Sequence, residues 1–157
     1  MLQRPRRAVL LTVGQAGGRQ AISLERVAIN VDDARIADNA GAQPIDTPVA
    51  RNGPIAYFTS LPIKAMLLAL QGEGVAAEVS QSAGTFVCNH VFYALMHQLA
   101  TGRGLKKMRG GFVHVPYLPE QGTPCMPMDE MVRGLRVALR CALSRSVDTV
   151  HSAGAVS

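Results

Sequence analysis

The sequence has no tryptophan, and its aromatics are four phenylalanines and three tyrosines in 157 residues. None of them interleaves with a basic run, so the stacking platform of a single-strand binder is missing. Three cysteines, Cys88, Cys125 and Cys141, are too few and too far apart for a disulfide framework or a zinc site. There is no His-Glu-x-x-His and no paired Cys-x-x-Cys, so no metal is indicated. The uncharged stretch 88–102 is interrupted by Asn89, His90, His97 and Gln98, and no segment is apolar and long enough to span a bilayer. The apolar residues 8–13 are not followed by a cleavage site, which argues against a signal peptide. The expectation is a cytoplasmic protein with reduced thiols.

Charge is also sparse, at 17% of residues, with 16 Lys and Arg against 11 Asp and Glu and a formal net charge of +5. A basic excess can mark a nucleic-acid binder, but here it is scattered. Arg4, Arg6 and Arg7 sit in a short leader, 1–7. Arg103, Lys106, Lys107 and Arg109 sit in a Gly-containing loop. Arg133, Arg136, Arg140 and Arg145 spread over one helix. Neither nucleic acid nor membrane is expected as a partner. What is abundant is apolar surface, at 48% of residues, enough to build one core. The chain reads as a single domain over 1–157, with 148–157 as a flexible tail.

The pattern alternates strands and helices. Residues 8–13 read as a buried strand stopped by Gly14, and 22–31 as a second strand-like segment with an irregularity near Arg26. Residues 32–53, rich in Asp, Asn, Gly and Pro, read as a surface or functional loop. Ser60 looks like the N-cap of a helix that ends at Gly72 and Gly74. A strand at 75–79, a helix at 85–101, a strand around Phe112-Val113-His114-Val115 and a helix at 129–146 complete the series. This order implies an α/β fold, a three-layer α/β/α sandwich with a mainly parallel sheet. Ligands in such folds sit beyond the carboxyl ends of strands, which directs attention to 14–19, 80–88 and 116–121.

Cys88 lies in the first turn of a helix, after a Ser-Ala-Gly turn. A helix N-terminus carries partial positive charge and free N–H groups. Both favour a nucleophilic thiolate, and the same N–H groups can hold an oxyanion. Against this stands the ordinary habit of free cysteine as a small buried hydrophobe. A nucleophilic cysteine needs a base, usually histidine. His90 and His97 share a helix with Cys88 and His151 lies in the tail, whereas His114 closes an apolar strand just before Pro116. Periodicity does not choose among the eleven acids for an imidazole orienter, although Glu25 interrupts an apolar segment after a Gly-rich loop. That loop, 14–19, has neither phosphate-binding glycine spacing, so a nucleotide site is not indicated.

Three motifs carry a specific resemblance. Ser82-Ala83-Gly84-Thr85-Phe86-Val87-Cys88-Asn89-His90 resembles the cysteine motif of pyroglutamyl peptidase I. The run from Gly111 through His114-Val115-Pro116-Tyr117 to Gln121 resembles that family's histidine motif. Gly14-Gln15-Ala16-Gly17-Gly18-Arg19, followed by Ile22 to Asn30, resembles its glutamate motif, and Asp33-Ala34-Arg35-Ile36 and Asp38-Asn39-Ala40-Gly41 continue the likeness. The resemblance implies a cysteine peptidase that removes N-terminal pyroglutamate from peptides. It implies Cys88 as nucleophile, His114 as base and then acid, and Glu25 as orienter. It places Arg35 near the oxyanion, and Gln15, Ile36, Phe86 and Val87 around the lactam. No cofactor follows from it, the implied partners are peptides bearing N-terminal pyroglutamate, and family members are often homo-oligomers. The family carries a strand and a Phe- and Gly-rich loop ahead of the glutamate motif, for which residues 1–7 are no counterpart. This departure leads to an expected open sheet edge and an exposed apolar face. It also supports a second reading, an N-terminally truncated, catalytically impaired homologue acting as a binding or oligomeric scaffold.

Overall fold

The computed structural model describes residues 8–154, so the basic leader 1–7 lies outside the described residues. The first apolar run forms β1 (Val9–Gln15), and the histidine motif forms β6 (Arg109–Val115), parallel to it with Gly14 beside His114. β2 (Ile22–Glu25) runs antiparallel to β6 and parallel to β5 (Ala77–Ser80). The sheet order is β1-β6-β2-β5, mainly parallel with one antiparallel step.

The irregularity near Arg26 is a change of sheet. Arg26 donates its backbone N–H to Ser80 O at 2.9 Å, and the chain then leaves the main sheet. It continues as β3 (Val27–Ile29), antiparallel to β4 (Ala56–Phe58) in a separate ribbon. The sequence pattern has no counterpart for the three-residue β4, too short to show a period of two.

α1 (Ile63–Gly72) and α3 (Met128–Ser144) cover one face of the main sheet, and α2 (Val87–Thr101) covers the other. The larger core cluster joins Ile22 and Leu24 of β2 to Met66 and Leu70 of α1 and Ala138 of α3, all fully buried. The smaller joins Phe92 and Tyr93 of α2 to Phe112 of β6 and Ala28 of β3. The three-layer α/β/α expectation therefore holds.

Two local expectations change. Ser60 does not cap α1; its hydroxyl exchanges hydrogen bonds with the backbone of Gly110 instead. The residue before α1 is Pro62, which makes no side-chain cap. Asp148 does the capping from the far end of the chain, accepting the N–H groups of Lys64 at 3.1 Å and Ala65 at 2.9 Å. The segment read as a tail is thus fastened where it starts, and Lys64 Nζ donates to His151 O at 2.8 Å. Arg109 belongs to β6, not to the preceding loop. It is buried and donates to the carbonyls of Ala142 and Arg145 at the end of α3.

Among the described residues, β1 has β6 as its one strand neighbour. Leu10 and Val13 on this edge are 40% and 46% exposed, in line with the expected open edge. No described helix is long and apolar enough to cross a membrane, and no described group of His, Cys, Asp and Glu has the makings of a metal site.

Candidate active site

Glu25 is the last residue of β2, His114 the last but one of β6, and Cys88 the second of α2. The antiparallel β2–β6 step sets Ser23 beside His114, which brings the end of β2 across to the histidine. His114 Nδ1 lies 2.7 Å from Glu25 Oε1, and both side chains are buried. A carboxylate only accepts, so this contact keeps the ring proton on Nδ1 and leaves Nε2 for the thiol. Cys88 stands near the same ring, its Sγ beside Gly14 and next to the Phe112 ring that packs on His114. Burial works against the imidazolium, but the hydrogen bonds to Cys88 and Glu25 and their negative charges outweigh it, and the His114 pKa is raised above its ordinary 6.5.

Gly14 makes room for this meeting. A Cβ there would sit 2.8 Å from the Phe112 ring and 3.1 Å from Cys88 Sγ. Phe112 in turn packs against His114, with ring centroids 4.9 Å apart. Cys88 is half-buried, as an accessible nucleophile requires. Phe86, the residue before α2, makes no side-chain cap, and the first N–H groups of a helix have no intrahelical acceptor.

The cysteine motif also anchors the loop that follows β3. Asn89 is buried; its side chain accepts the N–H of Ile29 at 3.0 Å and donates to the carbonyls of Ile29 and Val31, each at 2.9 Å. His90 Nδ1 contacts Asp32 Oδ2 at 2.7 Å, and Thr85 bonds both backbone groups of Asp33. The continuation of that loop brings Arg35 and Ile36 to a cavity of about 460 Å³, which Phe86, Val87 and Cys88 also line. Ile36 is 70% and Val87 53% exposed, so the cavity opens to solvent on that side.

A profile of the pyroglutamyl peptidase family matches residues 1–145. The chain belongs to that family. A pyrrolidone-carboxylate peptidase of Cupriavidus pinatubonensis is 57% identical over 98% of this chain and 73% of its own length. One from Bacillus cereus is 53% identical over 94% of this chain and 70% of its own. The crystal structure of pyroglutamyl peptidase I from Bacillus amyloliquefaciens superposes with a TM-score of 0.88 at 44% identity, covering 92% of this chain and 70% of that one. The pyrrolidone carboxyl peptidase of Thermococcus litoralis gives 0.85 at 31% identity, covering 92% and 71%. As a member of the pyroglutamyl peptidase family the chain is a peptidase, and nothing here favours the scaffold reading.

The pyroglutamyl peptidase motifs meet unevenly in space. Cys88, His114 and Glu25 converge, and Arg35, Ile36, Phe86 and Val87 share one cavity beside the thiol. Gln15 does not line that cavity. Its amide donates to Gln121 Oε1 at 2.6 Å, tying the end of β1 to the loop after β6. Two charged neighbours of these residues are missed by residue-type reasoning. Arg19 reaches Glu25 at 3.0 Å, and Asp32 holds His90. The signal for Arg19 is its place behind Gly17-Gly18, where a turn can throw a long side chain back over the sheet.

Proposed function

We propose that the chain hydrolyses the amide bond after an N-terminal pyroglutamyl residue, with Cys88, His114 and Glu25 as a catalytic triad. The observation that carries this is the 2.7 Å contact between His114 Nδ1 and Glu25 Oε1 in a buried setting, with the Cys88 thiol close enough to favour the imidazolium. The Cys88 thiolate attacks the pyroglutamyl carbonyl carbon, and the carbonyl π pair moves to oxygen. The free N–H groups at the start of α2, with Arg35 at the cavity wall, stabilise that oxyanion. Collapse expels the amine, which takes the proton from His114. Water then attacks the thioester, giving its proton to His114, and pyroglutamic acid leaves as the thiolate returns.

The cavity suits the substrate class. A lactam is small, flat and uncharged, so it is served by the apolar walls of Ile36, Phe86 and Val87 and a few backbone hydrogen bonds. Glutamate or a free α-amine would bring a charge into that setting at a desolvation cost. The partners proposed are thus peptides with N-terminal pyroglutamate. Thiolate chemistry with three unpaired cysteines suits a reducing compartment, and the cytoplasm is the location proposed.

The test is release of a fluorescent amine from a pyroglutamyl amide by the purified chain. Turnover is expected, with loss of at least a thousandfold in Cys88→Ala and in His114→Ala. Turnover that survives both substitutions would remove the triad assignment.

A further inference from the structure

The triad leaves one charged contact in the site without a role. Arg19 Nη1 lies 3.0 Å from Glu25 Oε1, the same oxygen that His114 Nδ1 contacts at 2.7 Å. We infer that Arg19 is a positioning residue for the reaction: its guanidinium holds the Glu25 carboxylate in place against His114, and so supports the thiolate–imidazolium pair of Cys88 and His114. This rests on the triad reading above.

The argument starts from burial. Glu25 is fully buried, and its second oxygen, Oε2, has no hydrogen-bond partner among the described residues. A buried carboxylate facing only a neutral imidazole is costly, and it relieves that cost by taking up a proton. Protonated, it would offer no charge to hold the His114 imidazolium, and the thiolate–imidazolium pair would weaken with it. Arg19 supplies the missing counter-charge. The row then alternates in sign: Arg19 positive, Glu25 negative, His114 positive, Cys88 negative.

Arg19 is itself held in place. Nη2 donates to Ser82 O at 3.2 Å, in the turn that leads into α2. Gly18, at φ +83°, turns the chain so that the next side chain comes back over the sheet. The guanidinium spans the turn of the nucleophile and the orienter of the base with two nitrogens of one rigid plane, as an ammonium group does not. Two other charged groups stand nearby. Arg26, next to Glu25 in the chain, donates to Gln81 at 2.7 Å. Glu78 on β5 accepts from Ser23 at 2.7 Å, is half-exposed, and stands 3.9 Å from Arg19. That leaves His114 from β6 and Arg19 from the β1–β2 loop on the buried carboxylate.

The experiment compares wild type with Arg19→Gln, Arg19→Lys, Glu25→Gln and the double variant Arg19→Gln/Glu25→Gln. Iodoacetamide alkylation of Cys88 and kcat/KM on a pyroglutamyl amide are followed from pH 5 to 9, with thermal melts to confirm folding. In Arg19→Gln the acid limb of both profiles is expected to move up by about one pH unit. That is a roughly tenfold loss below the limb and little change at pH 9. Arg19→Lys, which keeps the charge but not the two-point hold, should recover part of the shift, and the double variant should be no slower than Glu25→Gln alone. An Arg19→Gln profile that superimposes on wild type overturns the inference, as does a double variant whose losses multiply. Should Arg19→Gln melt early, Arg19→Met repeats the test without the charge. Failure of the triad reading looks different: Cys88→Ala and His114→Ala would then still turn over.

Discussion

His114 is buried beside two groups that favour its charged form. Its pKa is raised despite burial, because Cys88 and Glu25 both favour the imidazolium. The general acid is therefore still protonated above pH 6.5, and kcat/KM should begin its alkaline decline above the ordinary imidazole value. The same shift is a stability statement. A group whose pKa is raised on folding stabilises the native state fully below its unfolded value, near 6.5, and loses that contribution as pH climbs through the folded value. The melting-temperature gap between wild type and His114→Gln should thus narrow from pH 6 to pH 9. A gap that widens over that interval would contradict the shift. The cysteines make a companion case. Burial pushes the Cys141 thiol up, with Arg145 opposing and Asp148 adding to the rise. Mass-mapped alkylation at neutral pH should therefore label Cys88 well before Cys141. Gly14 is the third residue to test. The methyl of Gly14→Ala would press on the Phe112 ring and on Cys88 Sγ. A displacement of the thiol approaching 1 Å should lower turnover on the order of a hundredfold, while urea melts move far less.

At the scale of elements, what was legible in the sequence follows from which forces are local. Strand β1, helices α1, α2 and α3, and the strand holding His114 show through their apolar spacing and their Gly or Pro punctuation. The break at Arg26 shows as an irregularity, but its meaning, a change of sheet, depends on a bond to Ser80 far along the chain. Capping of α1 is invisible for the same reason. Ser60 stands where a local cap belongs, yet the acceptor is Asp148, 83 residues from Ala65. Likewise, no periodicity selects Glu25 among the acids. Only the antiparallel register of β2 on β6 puts it beside His114, and it was motif resemblance that supplied the choice. Arg19 stays hidden because its contact depends on a side chain folding back from a loop. The remote cap gives a prediction at this scale. Asp148→Ala leaves two N–H groups at the start of α1 without their acceptor and removes a negative charge from the positive end of the helix dipole. It should cost about 1 kcal/mol in chemical denaturation, with turnover unchanged because α1 lies across the sheet from α2. Asp148→Asn, which still accepts, should recover part of the loss.

Across the whole molecule, the site depends on three segments that the sheet order draws together. β6 is the middle of that arrangement, with β1 on one side and β2 on the other. Gly14 and Glu25 thus reach His114 from opposite sides, and α2 delivers Cys88 across the face. His114 therefore sits on an interior strand with a neighbour on each side, while β1 is an edge of the sheet among the described residues. That edge is apolar: Leu10 is 40% and Val13 46% exposed, and Leu139 and Leu143 of α3 also stand out to solvent. An edge strand with free backbone groups and apolar side chains is a template for pairing with another chain. Self-association of the purified protein should accordingly grow with concentration. Leu10→Lys places a charge on the strand without touching the triad, four residues before Gly14. Light scattering across a concentration series should show less association in Leu10→Lys than in wild type, at matched kcat/KM on the pyroglutamyl amide. Equal association in the two proteins would mean that contacts elsewhere hold copies together. A fall in kcat/KM in the variant would mean that strand β1 is less independent of His114 than the register of β6 implies.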